Sequence, residues 1–372
     1  TTLYHLIFIV KIKIIMKVSI LGDGLTSLSL AKALANQGIN VDIFCDGKAK
    51  KYSKIQTLGI SKGNVDFFNK DILNINKLLW NIDKIKVYSE NLSQEKILDF
   101  QNDNGNLFSI VRNYDLYNFL LIDLRKKNLI KFKKKINYNN LVKTDYKLIF
   151  NFDSNNLISQ KFFYKKITKN YNSFAHATSF KHKKILNNNI ATQIFTKKGP
   201  IAFLPISPVE TSVVYSVKGK KNIDLNESIE KYNKKYKIIK INDVNSFKLK
   251  SSNLRSYYYK NIIAFGDSLH KLHPLAGQGF NMIIRDIREI LRLIEYKKEH
   301  GLDLDNSICI DFEKNIKNKN FLFSSGIDLI YEFFNIESKT KYKTLSKSVK
   351  FLNKNKFLNN FFKKFADSGM TI

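Results

Sequence analysis

Cysteine, proline and tryptophan are scarce in this 372-residue chain, at two, four and one residues. Two cysteines, Cys45 and Cys309, build neither a disulfide framework nor a four-cysteine zinc site, and they fit a reducing compartment. Acid is scarce as well: 32 Asp and Glu face 63 Lys and Arg, leaving a net charge of +31. Arginine is by far the rarer base, confined to Arg112, Arg125, Arg255, Arg285, Arg288 and Arg292. Nucleic-acid readers favour its planar fork for bidentate contacts, and no arginine cluster occurs, so the charge argues against a nucleic-acid partner. The abundant Lys, Asn, Ile, Phe and Tyr all have A/T-rich codons, and base composition suffices to explain the bias. Such a surface still favours weak attraction to an anionic membrane. Near the start, the apolar stretch 6–10 is broken by Lys11 and Lys13. It is too short to span a bilayer, which needs about 20 apolar residues, and it lacks the basic start and cleavage site of a signal peptide. Met16 directly precedes a strand pattern, so residues 1–15 are expected to be a non-native or disordered extension. What remains is core material: 44% of the residues are apolar, which excludes a disordered or collagen-like chain.

At this length the chain divides into two interlocked domains or forms one large one. Residues 18–21 read as a short buried strand ended by Gly22-Asp23-Gly24. Leu28, Leu30, Ala31 and Leu34 then recur at helical spacing, and Gly38 sits where a helix C-cap belongs. Val41, Ile43 and Phe44 form a second strand ending at Asp46, which completes one βαβ unit and implies a parallel sheet. Further on, residues 85–88 alternate like an edge strand, 114–130 read as a helix and 146–152 as a buried strand. Residues 174–217 hold several β-type runs, within which 200–208 suggest a sheet edge meeting a loop. A buried strand over 261–265 and a helix over 280–296 follow, and about the last seventy residues are helical and lysine-rich. No internal repeat is visible.

Two segments carry chemistry. In the first, Gly22-x-Gly24-x-x-Ser27 lies between a strand and a helix. Its glycines allow a tight turn, the helix N-terminus then faces a pyrophosphate, and Asp46 is placed to bind ribose hydroxyls. Ser27 stands where Gly or Ala is usual; it is small, so helix–strand packing is expected to survive. In the second, GDSLHKLHPLAGQGFN over 266–281, a strand ends at Gly266 and Asp267 can accept hydrogen bonds from sugar-like hydroxyls. Pro274 stiffens the loop, and Gly277-Gln278-Gly279 opens a helix whose amides stabilise a developing anion.

This second run resembles the GDxxHxxxPxxGQGxN signature of the p-hydroxybenzoate-hydroxylase-like flavin monooxygenases. Within that family the chain is most similar to the ubiquinone-biosynthesis hydroxylases. Residues 108–120, 171–205 and 311–334 add to the likeness, which runs diffusely over about 16–370. The resemblance implies an α/β protein: a Rossmann-like FAD-binding domain in three pieces (16–70, 108–158 and 255–300), interleaved with a mainly β-sheet substrate domain in two (71–107 and 159–254), plus C-terminal helices (301–372). It assigns FAD contacts to Gly22, Gly24, Ser27, Asp46, Asn113, Asp267, Pro274, Gly277, Gln278, Gly279 and Asn281. Lys54 stands in for a family arginine, with charge but no planar fork. The family's Asp-Gly pair with Ser and Arg close behind is here Asp153-Ser154-Asn155-Asn156, without arginine. That departure bears on NAD(P)H as electron donor more than on FAD.

The implied reaction is hydroxylation of a polyprenylated phenol with O2 through a flavin C4a-hydroperoxide, the cofactor carrying the hard chemistry. Accordingly no covalent nucleophile is expected and no metal, since no His or Cys spacing suits one. His270 and His273 are read as loop-shaping residues first and acid–base candidates second. Two rival readings stand beside the hydroxylase: a flavin-dependent reductase or dehydrogenase of an isoprenoid, and a degraded scaffold subunit of a quinone-biosynthesis complex. Residues 341–364 alternate lysines with Leu, Phe and Val. They suit an anionic bilayer, a docking partner, or a lysine-biased helix over the core. A prenylated substrate lives in the membrane, so the expectation is a cytoplasmic protein attached peripherally to the inner face of the cytoplasmic membrane.

Overall fold

Strand Lys17–Leu21 sits inside a six-stranded sheet and is buried on both faces, Val18 and Ile20 on one and Ser19 and Leu21 on the other, as parallel strands covered by helices require. The computed structural model describes residues 16–45, 53–93, 95–101, 105–141, 143–219, 222–272 and 278–339. Residues 1–15, Asp46, His273, Pro274, Gly277 and the 341–364 segment lie outside them. The sheet runs in the order Tyr258–Tyr259, Ile262–Ala264, Leu148–Asn151, Lys17–Leu21, Asn40–Cys45, Ile130–Lys134. Its pairs are parallel save the hairpin at the Tyr258–Tyr259 edge. The helix Leu25–Asn36 buries Leu28, Leu30, Ala31 and Leu34 completely and packs on the helices Asn113–Arg125 and Gln278–Glu299. Gly38 ends it with φ +78°, as its place in the sequence demands. Asp42, 2% exposed, ties three strands together through Lys17 at 3.1 Å, Lys133 at 2.7 Å and the Tyr146 hydroxyl at 2.5 Å. Burial alone would raise its carboxyl, but these three hydrogen bonds outweigh that and hold it below the usual range. Cys309 is buried in the main core, which pushes its thiol up to about 12.

A nine-stranded sheet forms the second layer, with Lys166–His182 pairing Asn245–Leu254, Glu210–Lys218 and Ile238–Ile241. A small sheet of Thr57–Ser61, Phe108–Arg112 and Trp80–Ile82 lies between the two. The expected α/β class with a parallel sheet, a β-rich partner and C-terminal helices is the one observed.

Three details differ from expectation. Strand Lys84–Ser89 is internal, paired with Glu95–Gln101 on one side and Ile190–Thr196 on the other. Its alternating lysines are half-buried on one face of the sheet, where the Lys84 ammonium meets Asp99 at 3.4 Å, rather than at an edge. Strand Gly199–Ser207 is internal too, between Ile190–Thr196 and Glu210–Lys218. Its prolines are tolerated because Pro200 adjoins the hairpin turn and Pro205 a register shift. The helix expected over 114–130 is Asn113–Arg125, and residues Ile130–Lys134 return as the sixth strand of the first sheet.

The helix Asn306–Lys339 packs on Gln278–Glu299 and reaches the large sheet, where Tyr331 meets Ser173 at 2.8 Å and Asp328 accepts from the Tyr171 hydroxyl. Among the described residues no helix is long and apolar enough to cross a membrane.

Candidate functional site

The turn after Lys17–Leu21 is built by backbone rather than side chains. Gly22 has φ +112°, a conformation that side-chain-bearing residues rarely adopt, and its N–H donates to the Phe44 carbonyl at 2.9 Å. Gly24 is the N-cap of Leu25–Asn36 and brings no capping side chain, so the positive end of the helix is offered to whatever occupies the space before it. Ser27 is fully buried, and its Oγ donates to the Gly24 carbonyl at 2.8 Å. The extra hydroxyl is thus satisfied inside the turn, which is how serine replaces the usual Gly or Ala.

The second motif closes on the same place. Gly266 has φ +62°, and a Cβ there would stand 2.8 Å from Phe152 Cδ1; a Cβ on Gly22 would stand 3.4 Å from Phe152 Cβ. Phe152 is therefore the joint against which both glycine turns close. Sequence reading placed it only as the last residue of a strand, and nothing in its type marks it further. The two turns open onto one cavity of about 1170 Å³, lined by Gly22, Gly24, Ser27, Asn113, Asp267 and Gly279.

The other expected residues are distributed differently. His270 is on the cavity wall but 1% exposed, with Nε2 against Asp286. Gln278 opens the helix Gln278–Glu299, and its Oε1 is buried without a hydrogen-bond partner among the described residues. Lys54 lies over the Tyr114 ring at 5.3 Å. The Asn281 side chain is turned to the small sheet instead of the cavity. Its Oδ1 accepts from the Ser61 N–H at 2.9 Å and from Asn64 at 3.0 Å, and its Nδ2 donates to the Gly59 carbonyl at 2.8 Å. That side chain acts as a bolt between helix and sheet.

The arginine-less element forms part of the cavity wall. Asn156 caps the helix Leu157–Phe162 by accepting from the Ser159 N–H at 2.8 Å, and its Nδ2 donates to Asn151 Oδ1 at 2.8 Å. Ser159 Oγ donates to the Asp153 carbonyl at 2.6 Å, and Lys135 meets the Asp153 carboxylate at 3.4 Å. Asparagine and serine here build a loop held by its own hydrogen bonds. Lys248, Lys250 and Lys271 add cations to the wall; in so lysine-rich a chain, no sequence signal set them apart.

Cavity chemistry fits a polar, partly anionic nucleotide cofactor. Helix N-termini and glycine turns suit a pyrophosphate, and Asn113, which lines the cavity, has a buried Oδ1 left unmet among the described residues. No group of three or more His, Cys, Asp or Glu among the described residues could hold a metal ion.

No protein-family model matches the chain. Among curated proteins it is 22% identical over 210 residues to the mitochondrial ubiquinone biosynthesis monooxygenase of Xenopus tropicalis, covering 45% of each chain. The human protein of that name gives 23% over 233 residues and 50% of each. The 3-demethoxyubiquinol 3-hydroxylase of Escherichia coli gives 25% over 152 residues, 38% of this chain and 39% of that one. The chain thus spans about half the length of these relatives or less. Among solved structures, p-nitrophenol 4-monooxygenase from Pseudomonas putida aligns with a TM-score of 0.73 at 11% identity, over 95% of this chain and 97% of its own. A Klebsiella pneumoniae HpxO variant complexed with FAD gives 0.71 at 12%, over 95% and 99%. The expected likeness to the ubiquinone-biosynthesis hydroxylases and the expected fold are both borne out.

Proposed function

We infer that this chain is an FAD-dependent monooxygenase that hydroxylates the ring of a polyprenylated phenol in ubiquinone biosynthesis. The observation that carries the reading is the convergence of two glycine motifs, far apart in sequence, across Phe152 onto a single cavity. Relatives named for ubiquinone biosynthesis and a neighbour holding FAD in the same fold support the substrate class and the cofactor.

The residues present position rather than attack. Gly22 and Gly24 let the backbone approach a pyrophosphate, and the helix Leu25–Asn36 lends it the positive end of its dipole. Asp267, exposed on its turn and lining the cavity, can accept from ribityl hydroxyls, and Asn113 stands at the end of its own helix on the same wall. Gly279 leaves open space at the start of its helix, where the amides favour developing negative charge. A bound reduced flavin would supply the activation of O2. The protein supplies orientation and a walled cavity.

NAD(P)H is the proposed source of electrons. The self-bonded Asp153–Asn156 loop, which lacks the family arginine, favours a second reading in which another donor or a scaffold role replaces direct NAD(P)H use. Membership of a ubiquinone-biosynthesis complex and peripheral membrane contact belong to this same proposal.

The test is the visible spectrum of the full chain with added FAD, followed by O2 uptake with NADPH and a prenylated phenol. Flavin bands that survive gel filtration, with uptake dependent on the phenol, are the expected result. Retained flavin with phenol-independent or absent uptake moves the assignment to a reductase or scaffold, and a colourless protein ends it.

A further inference from the structure

One stretch of the cavity wall is held from behind. Thr57, Leu58 and Asn113 line the cavity, and Thr57 is the strand partner of Arg112 in the small middle sheet. The backbone N–H of Asn113 donates to the Gln56 carbonyl at 3.0 Å, and Arg112 Nη1 reaches the Lys54 carbonyl at 3.4 Å. Residues 54–58 therefore take their place from Arg112 and Asn113.

Arg112 is in turn fixed by the large sheet. Its Nη2 donates to Glu210 Oε2 at 2.6 Å and its Nη1 to Oε1 at 3.3 Å, while Ser179 Oγ donates to the same Oε1 at 2.8 Å. Two neutral bonds from that sheet grip the same stretch. Thr57 Oγ1 donates to Ser212 Oγ at 3.1 Å, and Asn245 Nδ2 to Ser53 Oγ at 3.0 Å. The charged pair is the firmest of these grips, because ionised partners strengthen a hydrogen bond and a carboxylate that takes two donors of a planar fork fixes its orientation. Arg112 and Glu210 lie behind the wall rather than on it.

We propose that Arg112 is a positioning residue of the flavin cavity. Clamped by Glu210, it holds residues 54–58 and the start of the helix Asn113–Arg125 where the cofactor meets them, so flavin affinity depends on an ion pair that touches no flavin. This assignment rests on the flavin reading of the cavity.

Three variants take the clamp apart by degrees. Glu210→Gln keeps an oxygen for Ser179 but turns an NH2 to Arg112 Nη2, which loses the shortest bond. Arg112→Lys keeps the charge without the fork that reaches Glu210 twice and Lys54 once. Arg112→Met removes both. The control is Glu90→Gln: away from the cavity, Glu90 accepts from the Lys197 N–H at 2.8 Å, the Tyr232 hydroxyl at 3.1 Å and Lys231 at 3.2 Å. Its loss weakens the large sheet without reaching the wall. The experiment is fluorescence titration of FAD into the full chain and each variant, with urea unfolding of the same proteins to measure stability.

Flavin affinity is expected to fall about three- to tenfold in Arg112→Met, similarly in Glu210→Gln and less in Arg112→Lys, as the loss of one hydrogen-bonded contact implies. The double variant Arg112→Met/Glu210→Gln loses no more than Arg112→Met alone, since both residues act through one contact. Glu90→Gln loses stability and keeps wild-type affinity. Unchanged affinity in Arg112→Met overturns the proposal, as do losses that multiply in the double variant. An equal loss in Glu90→Gln overturns it too, because the effect is then one of general stability. If Arg112→Met does not fold, Glu210→Gln and Arg112→Lys decide between the same outcomes. A wild-type chain that takes up no flavin overturns the flavin reading, and this assignment with it.

Discussion

Gly22 and Gly279 are both glycines on the cavity wall, and physical chemistry gives them opposite reasons for being so. At Gly22 the space is adequate, since a Cβ would meet Phe152 Cβ at 3.4 Å, but φ is +112°. Gly22→Ala should therefore lower stability by about 1–2 kcal/mol through backbone strain and loosen flavin with it. At Gly279 the backbone is helical and a Cβ would meet nothing within 4 Å. Gly279→Ala should leave the melting temperature level or slightly raised, yet place a methyl where the cofactor approaches, so flavin affinity falls alone. Thermal melts paired with flavin-fluorescence titrations separate the two. A Gly279→Ala protein that binds FAD as tightly as wild type would show that the cofactor does not come close to that helix end. Both glycines were legible in the sequence because the strand–turn–helix setting demands them. Phe152 was not, since an aromatic ending a strand is ordinary; only the fold reveals that two turns need its ring.

Between elements, the Arg112–Glu210 pair joins the small sheet to the large one. The Arg112 guanidinium reaches the Glu210 carboxylate at 2.6 and 3.3 Å, and Ser179 Oγ donates to the same carboxylate at 2.8 Å. Burial alone would raise Glu210, but the hydrogen bonds from Arg112 and Ser179 outweigh it and hold the carboxyl below its ordinary 4.5. A carboxyl depressed in the folded state adds stability above its unfolded pKa and loses it as pH falls through the folded one. Arg112→Met should thus cost about 1–2 kcal/mol at neutral pH, the partial exposure of the pair limiting the figure, and progressively less below about pH 4.5. Urea unfolding of wild type and variant at neutral pH and at about pH 3.5 checks this, the same penalty at both being the unfavourable result. No spacing in the sequence foretold this pair, because its partners belong to strands that meet only in the folded molecule. Lysine bias misled as well: Lys86, within the alternation over 85–88, gave an internal strand the look of an edge, although that strand is paired on both sides.

For the whole molecule, the interleaving of a parallel sheet with a β-rich partner was implied by the family resemblance that the two motifs carry. The small middle sheet was not, because residues 57–61 and 80–82 carry too few alternating positions to register. A net charge of +31 is a property at this scale as well, and it makes a prediction that motifs cannot. Spread over so many lysines, it should draw the protein to any anionic bilayer without a specific headgroup, at about 1 kcal/mol for each lysine near the surface. Such attraction decays within a Debye length, about 8 Å at physiological ionic strength and less above it. The full chain should therefore co-sediment with phosphatidylglycerol-containing vesicles at low salt, leave them as NaCl approaches about 0.5 M, and ignore phosphatidylcholine vesicles throughout. The competing mode is apolar: Leu322, Leu329 and Ile336 recur along one side of the helix Asn306–Lys339 and are 43%, 70% and 55% exposed. Burial of such a stripe in lipid would be insensitive to salt, since hydrophobic transfer has no ionic screening term. Binding to phosphatidylcholine that survives high salt would therefore assign membrane contact to this helix rather than to the charge. A chain that sediments with neither lipid at low salt would remove membrane attachment from the proposal, leaving the prenylated substrate to reach the cavity by another carrier.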